Sequence, residues 1–179
     1  MTDSLNELPP IIPPSPWVET HCGLIAPGGR VLDLACGSGR HARLLAGLGL
    51  AVCAVDRDAE VVLKLQGVPG ITATQLDLEG DEWPLSGQSF AGIVVTNYLW
   101  RPRLPDLLTM LAPGGVLIYE TFMLGNEFYG KPSNPDFLLR PGELREVMRA
   151  DGLREIAFEE GYTDSPKPAM RQAICAVRE

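Results

Sequence analysis

The chemistry this sequence offers is concentrated in one glycine turn and three carboxylates. The run Val31-Leu32-Asp33-Leu34-Ala35-Cys36-Gly37-Ser38-Gly39 is apolar until it stops at two glycines. Glycines between a strand and a helix reach positive φ and let a ligand come close to the backbone. Such a turn lies at the carboxyl end of the first strand, where open α/β sheets bind ligands. Asp56 closes the next apolar run, 19 residues after Gly37. A carboxylate there can accept two hydrogen bonds from vicinal ribose hydroxyls. The helix amino terminus beside the turn suits a ligand carboxylate or phosphate.

Two ligands fit these residues. Gly37-x-Gly39-x-x-Ala42 followed by an acid matches the loose dinucleotide fingerprint and would suit an NAD(P)-dependent oxidoreductase. S-adenosylmethionine also has a ribose and an adenine, but no pyrophosphate. Three features favour it. Asp33 sits inside the strand, four residues before Gly37, where it can pair with the ammonium of a methionine group. Asp77, near the end of the third strand, can accept from an adenine amino group. The chain also closes on a predicted antiparallel hairpin, which is unusual for a dinucleotide fold.

The elements that must position these groups follow a regular rhythm. Five apolar strand runs are read at 30–35, 50–55, 71–75, 91–96 and 116–122. Helices are expected at 40–48, from an Asp58 cap to Leu65, at 104–111, and from Pro141-Gly142-Glu143 to about Asp151. Alternating strands and helices call for a doubly wound, mostly parallel sheet covered on both faces. Two last strands, 153–162 and 169–177, are joined by too few residues for a parallel crossover, so they form a hairpin. Five prolines between Pro9 and Pro16 give an extended arm, and Ser15-Pro16 starts a short helix over 17–24. The division expected is 1–29 as arm and short helix, and 30–179 as the functional domain.

Val31 to Arg40, Asp56, Leu76-Asp77-Leu78, Phe90 to Trp100 and Leu111-Ala112-Pro113-Gly114-Gly115 together resemble, in order, the motifs of class I S-adenosylmethionine-dependent methyltransferases. The resemblance implies a Rossmann-like seven-stranded sheet of order 3-2-1-4-5-7-6, with strand 7 antiparallel. It implies that Asp33, Ala35, Gly37 and Gly39 border the methionine part of the cofactor and that Asp56 holds the ribose. Arg57 would lie beside the adenine, Asp77 and Leu78 would bind it, and Asn97 would lie beneath the cofactor. Ala35 stands where the family usually has its first glycine. Cys36-Gly37-Ser38-Gly39-Arg40 and Tyr119-Glu120-Thr121-Phe122 resemble the small tellurite-resistance-type branch. No histidine follows His41, so the second half offers no histidine base, which argues against tellurite or selenite as acceptor.

Composition narrows the acceptor. The 179 residues carry 15 basic and 23 acidic side chains, a net charge of −8 with pI near 4.8. That disfavours a nucleic-acid partner, because nonspecific affinity for phosphate backbones is mostly basic charge. A small-molecule acceptor is expected. No apolar run is long enough to span a bilayer. Met1 to Glu7 lacks the pattern of a signal peptide, and Cys22, Cys36, Cys53 and Cys175 form no metal-ligand spacing. Free thiols in the cytoplasm and no metal are the expectation. Candidates for the acceptor side are Tyr98, Trp100 and Arg101 after the fourth strand. The long loop 123–140, with Phe128, Tyr129 and Phe137, is a candidate lid or packed Ω-loop. A protein that binds the cofactor without catalysis is the other alternative. Methyl transfer needs no fixed base, and none is assigned.

Overall fold

The computed structural model describes residues 12–179. The expected proline arm therefore falls largely outside the described residues. Residues 12–15 lead in without regular structure. Ser15 then caps α1 (Pro16–His21), its side chain accepting from the Trp17 N–H, and a short 3-10 turn, Cys22–Leu24, follows. Proline at the first helical position costs nothing there, because that N–H has no partner in a helix anyway.

Seven strands form one sheet in the order β3-β2-β1-β4-β5-β7-β6. They are β1 (Arg30–Leu34), β2 (Ala51–Asp56), β3 (Ile71–Gln75), β4 (Phe90–Thr96), β5 (Leu111–Phe122), β6 (Leu153–Thr163) and β7 (Ala169–Arg178). The first five run parallel, and β7 is antiparallel to both β5 and β6. The α/β order and the closing hairpin expected from the sequence are both present.

Period-two alternation sorts the side chains into two cores. Val31, Val52, Val94 and Ile118 face α1, α2 (Arg40–Gly47) and α3 (Ala59–Leu65), meeting Val18, Ala42, Leu45 and Leu65. Leu32, Val55, Ile93 and Leu117 face α4 (Leu104–Thr109) and α5 (Glu143–Ala150), meeting Leu104, Leu107, Leu144 and Met148. A strand buried on both faces must be apolar throughout, which is why β1, β2 and β4 read as continuous runs. Asp33 is the exception on β1, only 1 % exposed among apolar neighbours.

One boundary differs from the sequence reading. The helix expected to reach Leu111 stops at Thr109, and Leu111 already belongs to β5, paired with Phe90. Pro113-Gly114-Gly115 is not a turn before the strand but an irregularity within it, marked by the register shift between Phe90 and Gly92. Gly114 has φ +74°, so the chain kinks there and returns to the ladder at Val116.

Candidate functional site

Parallel strands end together, so the carboxyl ends of β1, β2, β3 and β4 line one edge of the sheet. The glycine turn sits at that edge. Gly39 leaves β1's loop at φ +75° and starts α2 without a side-chain cap. A Cβ at Gly39 would lie 2.4 Å from Leu65 Cδ2, so both φ and the packing of α3 require glycine. Ala35 takes φ +53°, a left-handed conformation that is costly for alanine. The position is one where the backbone itself calls for glycine, in agreement with the family pattern.

Asp56 ties the turn to β2. Its Oδ2 accepts the Gly37 N–H at 2.9 Å and its Oδ1 accepts the Asp58 N–H at 3.0 Å. Asp58, not Asp56, caps α3 by accepting from the Glu60 N–H. Asp56 is half-buried and lines a cleft of about 180 Å³ with Ala35, Arg57, Leu76, Leu78, Glu79 and Tyr98. Four predicted residues, Ala35, Asp56, Arg57 and Leu78, therefore meet in one cleft. Arg57 is exposed, and its carbonyl accepts from Gln75 Nε2. Asp77 does not line the cleft. It is exposed, and its Oδ1 accepts the Glu79 N–H at 2.9 Å. Glu79 and Leu76 line the cleft instead. Their neighbours in the sequence drew attention to this loop, but nothing in the residue types tells which of four consecutive side chains turns inward.

Asp33 lies behind the turn. Its Oδ2 is buried with no hydrogen-bond partner among the described residues. Burial pushes its carboxyl up to about 7, against the Ala42 backbone N–H and the Arg40 guanidinium, which pull it down. An orphaned buried carboxylate oxygen at a glycine turn fits a ligand ammonium. With the ribose-type acceptor Asp56 and a cleft walled by Leu76 and Leu78, the residues present fit S-adenosylmethionine. They offer it a carboxylate at each end rather than a pyrophosphate cradle.

The sheet order, the glycine turn and the match now coincide. Residues 31–115 match the model of a methyltransferase domain. The chain carries a methyltransferase domain and has the fold of class I S-adenosylmethionine-dependent methyltransferases. It is a methyltransferase, and S-adenosylmethionine is its cofactor. The chain is 25 % identical to the ubiquinone biosynthesis O-methyltransferase of Burkholderia thailandensis, over 84 % of this chain and 74 % of that protein. It is 28 % identical to the tRNA U34 carboxymethyltransferase of Methylococcus capsulatus, over 74 % of this chain but only 48 % of that protein. Among solved structures it resembles TehB from Haemophilus influenzae, with TM-score 0.72, 21 % identity, and coverage of 91 % of this chain and 61 % of that one. The last likeness is one of fold.

In this methyltransferase the side of the edge facing α1 is closed by a strap that the sequence did not reveal. The Ser15 backbone N–H donates to His41 Nε2 at 3.0 Å, and Arg40 Nη1 donates to the Pro13 carbonyl at 3.2 Å. Because Nε2 accepts, the His41 proton is on Nδ1, which faces Thr96 Oγ1 at 3.4 Å. His41 is 1 % exposed, and burial, helped by Arg40, lowers it to about 4. His41 thus both packs and fastens. Between pH 6.5 and 4 the unfolded chain binds a proton at His41 that the folded chain refuses. Stability is therefore expected to fall as pH drops through that window, by at most about 1.4 kcal/mol per pH unit. Urea midpoints at pH 6.5 and 4.5 should differ less in His41→Gln than in the parent protein, and an equal difference would contradict the assignment.

Asn97, with φ +55°, is exposed at the end of β4 and does not line the cleft. Its Oδ1 accepts from Arg171 Nη2 at 2.7 Å. Tyr98 lines the cleft, and with Trp100 it also lines a small void against Trp83, Leu104 and Tyr119. Burial, followed by the charge of Glu79, raises the Tyr98 phenol well above its ordinary value, so it stays protonated. Arg101 clamps the 123–140 loop. It donates to both Glu143 carboxylate oxygens and to the Asp136 and Leu138 carbonyls.

Proposed function

We propose that this enzyme transfers a methyl group to a small-molecule acceptor in the cytoplasm. S-adenosylmethionine, when bound, supplies a methyl already activated by its sulfonium charge. What remains for the chain is to hold donor and acceptor in line, and such positioning is worth about 7–11 kcal/mol in well-oriented intramolecular reactions. Asp33 takes the ammonium and Asp56 the ribose hydroxyls. Leu76 and Leu78 pack against the adenine, with Arg57 beside it, and Asp77 supports that loop through its turn. Asn97 contributes from beneath. Gly37 and Gly39 give the methionine part its room.

The observation that carries the small-acceptor reading is the strap over 13–15. It is tied to the first turn of α2 beside Thr96, and a segment fastened there favours a small acceptor over a folded macromolecule. The net charge of −8 supports the same reading. The four buried thiols suit a reducing compartment, and among the described residues no helix is long and apolar enough to cross a membrane. Neither His41 nor Tyr98 is set up as a base: His41 accepts from Ser15, and Tyr98 keeps its proton. The acceptor therefore brings a nucleophile that needs no strong base from these two groups.

Radiolabelled methyl transfer tests this directly. Purified enzyme with labelled S-adenosylmethionine is offered metabolite, tRNA and protein fractions in parallel. Label is expected in the metabolite fraction. Label confined to tRNA or protein would contradict the reading, and bound cofactor with no transfer anywhere would favour a binding protein. Asp56→Ala is expected to weaken S-adenosylhomocysteine more than tenfold, about 1.4 kcal/mol. An unchanged dissociation constant in a folded variant would remove Asp56 from the site.

A further inference from the structure

Arg171 is a substantially buried arginine that the protein leaves under-used. Its side chain is 17 % exposed, yet its only hydrogen bond among the described residues is from Nη2 to Asn97 Oδ1. Glu120 Oε2 lies 3.6 Å from Nη2, close enough to attract but too far for a hydrogen bond. Nε and Nη1 have no acceptor among the described residues. Three other half-buried arginines have more acceptors. Arg101 has four acceptor contacts, Arg103 reaches Asp106 and the Gly80 and Asp81 carbonyls, and Arg178 reaches Leu108 O and Asp151. Arg171 is also held rigidly, its guanidinium stacked 4.6 Å from the centre of the Phe122 ring. A fixed guanidinium with free donors, partly withdrawn from water, is built to receive an oxyanion.

Its place in the sheet sets what that oxyanion belongs to. Asp33 pairs with Val94 on β4, Thr96 with Glu120 on β5, and Phe122 with Arg171 on β7. Alternation puts Asp33, Thr96, Glu120 and Arg171 on the same face, the one covered by α1 and α2. Strands lie about 4.8 Å apart, so Arg171 stands about 10 Å from β4 and further still from Asp33. A ligand ammonium at Asp33 and a second, negatively charged ligand at Arg171 are thus kept apart on one edge, with Asn97 between them.

We infer that Arg171 is an acceptor-binding residue and that the acceptor carries a carboxylate or phosphate, which docks on the free guanidinium edge while the nucleophilic atom lies over β4. This rests on the methyl-transfer reading and adds the acceptor's charge class to it. Glu120 tempers the site: it attracts Arg171 and repels the incoming anion.

Ligand-observed NMR on enzyme saturated with S-adenosylhomocysteine tests the inference. The probes are a panel of small carboxylic acids and phosphate monoesters, each paired with its neutral amide or alcohol. Binders are expected among the anions, with their neutral partners silent. Arg171→Gln is expected to weaken those binders about 10- to 100-fold, as losing a charge-assisted hydrogen bond does, and Arg171→Lys less. Glu120→Gln is expected to tighten them, a change that a purely structural role for Arg171 would not produce. S-adenosylhomocysteine affinity, measured by calorimetry, should be the same in all four proteins. Anions and neutral partners binding alike, an empty panel, or anion binding indifferent to Arg171 would each overturn the inference. Failure of S-adenosylhomocysteine to bind the parent protein would instead strike at the methyltransferase reading beneath it.

Discussion

Asp33→Asn is expected to make the protein more stable and to disable it. The Asp33 carboxyl is buried on β1 with Oδ2 unpartnered, and burial raises it to about 7. An unfolded chain ionises that group near pH 3.8, so between about pH 4 and 7 the unfolded state holds fewer protons than the folded one. Stability from this group is then lost as pH rises through that window, and above it the fold carries a desolvated charge. Asparagine keeps the shape and removes the charge. Its melting temperature should exceed that of the parent by roughly 5 °C or more at pH 8, at about 2–4 °C per kcal/mol for a chain of this size. The advantage should shrink as pH falls toward 4. The same change removes the partner for a ligand ammonium, and S-adenosylhomocysteine should bind about 100-fold more weakly, as losing a buried charged contact brings. Differential scanning calorimetry across pH, with titration calorimetry at pH 8, checks both halves. A variant that melts lower at pH 8 would show that Asp33 is a structural carboxylate satisfied within the fold.

Arg101→Met is expected to be the most damaging change away from the cofactor cleft. Glu143 is 3 % exposed at its side chain, and Arg101 meets it with Nε at 2.6 Å and Nη2 at 2.9 Å. Burial alone would raise the Glu143 carboxyl, but the Arg101 and Arg140 contacts outweigh it and hold the carboxyl low. Methionine fills much of the space and leaves a buried charge without its main partner. Removing one member of a fully buried pair costs about 3–5 kcal/mol, and because Arg101 is itself 33 % exposed, about 2–4 kcal/mol is expected. The loss should be local as well as global. Arg101 also ties the Asp136 and Leu138 carbonyls, and Leu124 and Leu139 hold the loop's base through the Leu124 N–H to Leu139 O and Leu139 N–H to Phe122 O bonds. Hydrogen exchange at Leu124 and Leu139 should accelerate in the variant. Adding Glu143→Gln should restore much of the stability. A double variant no better than the single one would mean that the carbonyl ties, not the ion pair, carry the energy.

The loop over 123–140 illustrates where sequence reading stops. Its length marks it as a candidate lid or Ω-loop, and its aromatic residues draw the eye. What decides between the two is the Arg101 clamp and the side chain of Asn126, which reaches Pro132 O and the Met170 N–H. The clamp and the Met170 bond are long-range contacts that residue types do not announce. The strands were legible for the opposite reason: β1, β2 and β4 are buried on both faces and must be apolar, and the glycine turn and Asp56 sit where backbone geometry leaves few alternatives. Asp77 and Asn97 follow the ends of β3 and β4, but their side chains answer to partners within the protein, the Glu79 N–H and Arg171. The start of β5 is not legible because Pro113-Gly114-Gly115 has turn composition, while its place in the ladder is set by Phe90 across the strand.

A crystal structure with S-adenosylhomocysteine is the most direct test of the account. It should show the ligand ammonium at about 3 Å from Asp33 Oδ2, the ribose hydroxyls on Asp56, and the adenine between Leu76 and Leu78. A ligand bound with its amino-acid end remote from Asp33, or a glycine turn collapsed onto protein atoms with no density for the nucleoside, would contradict it.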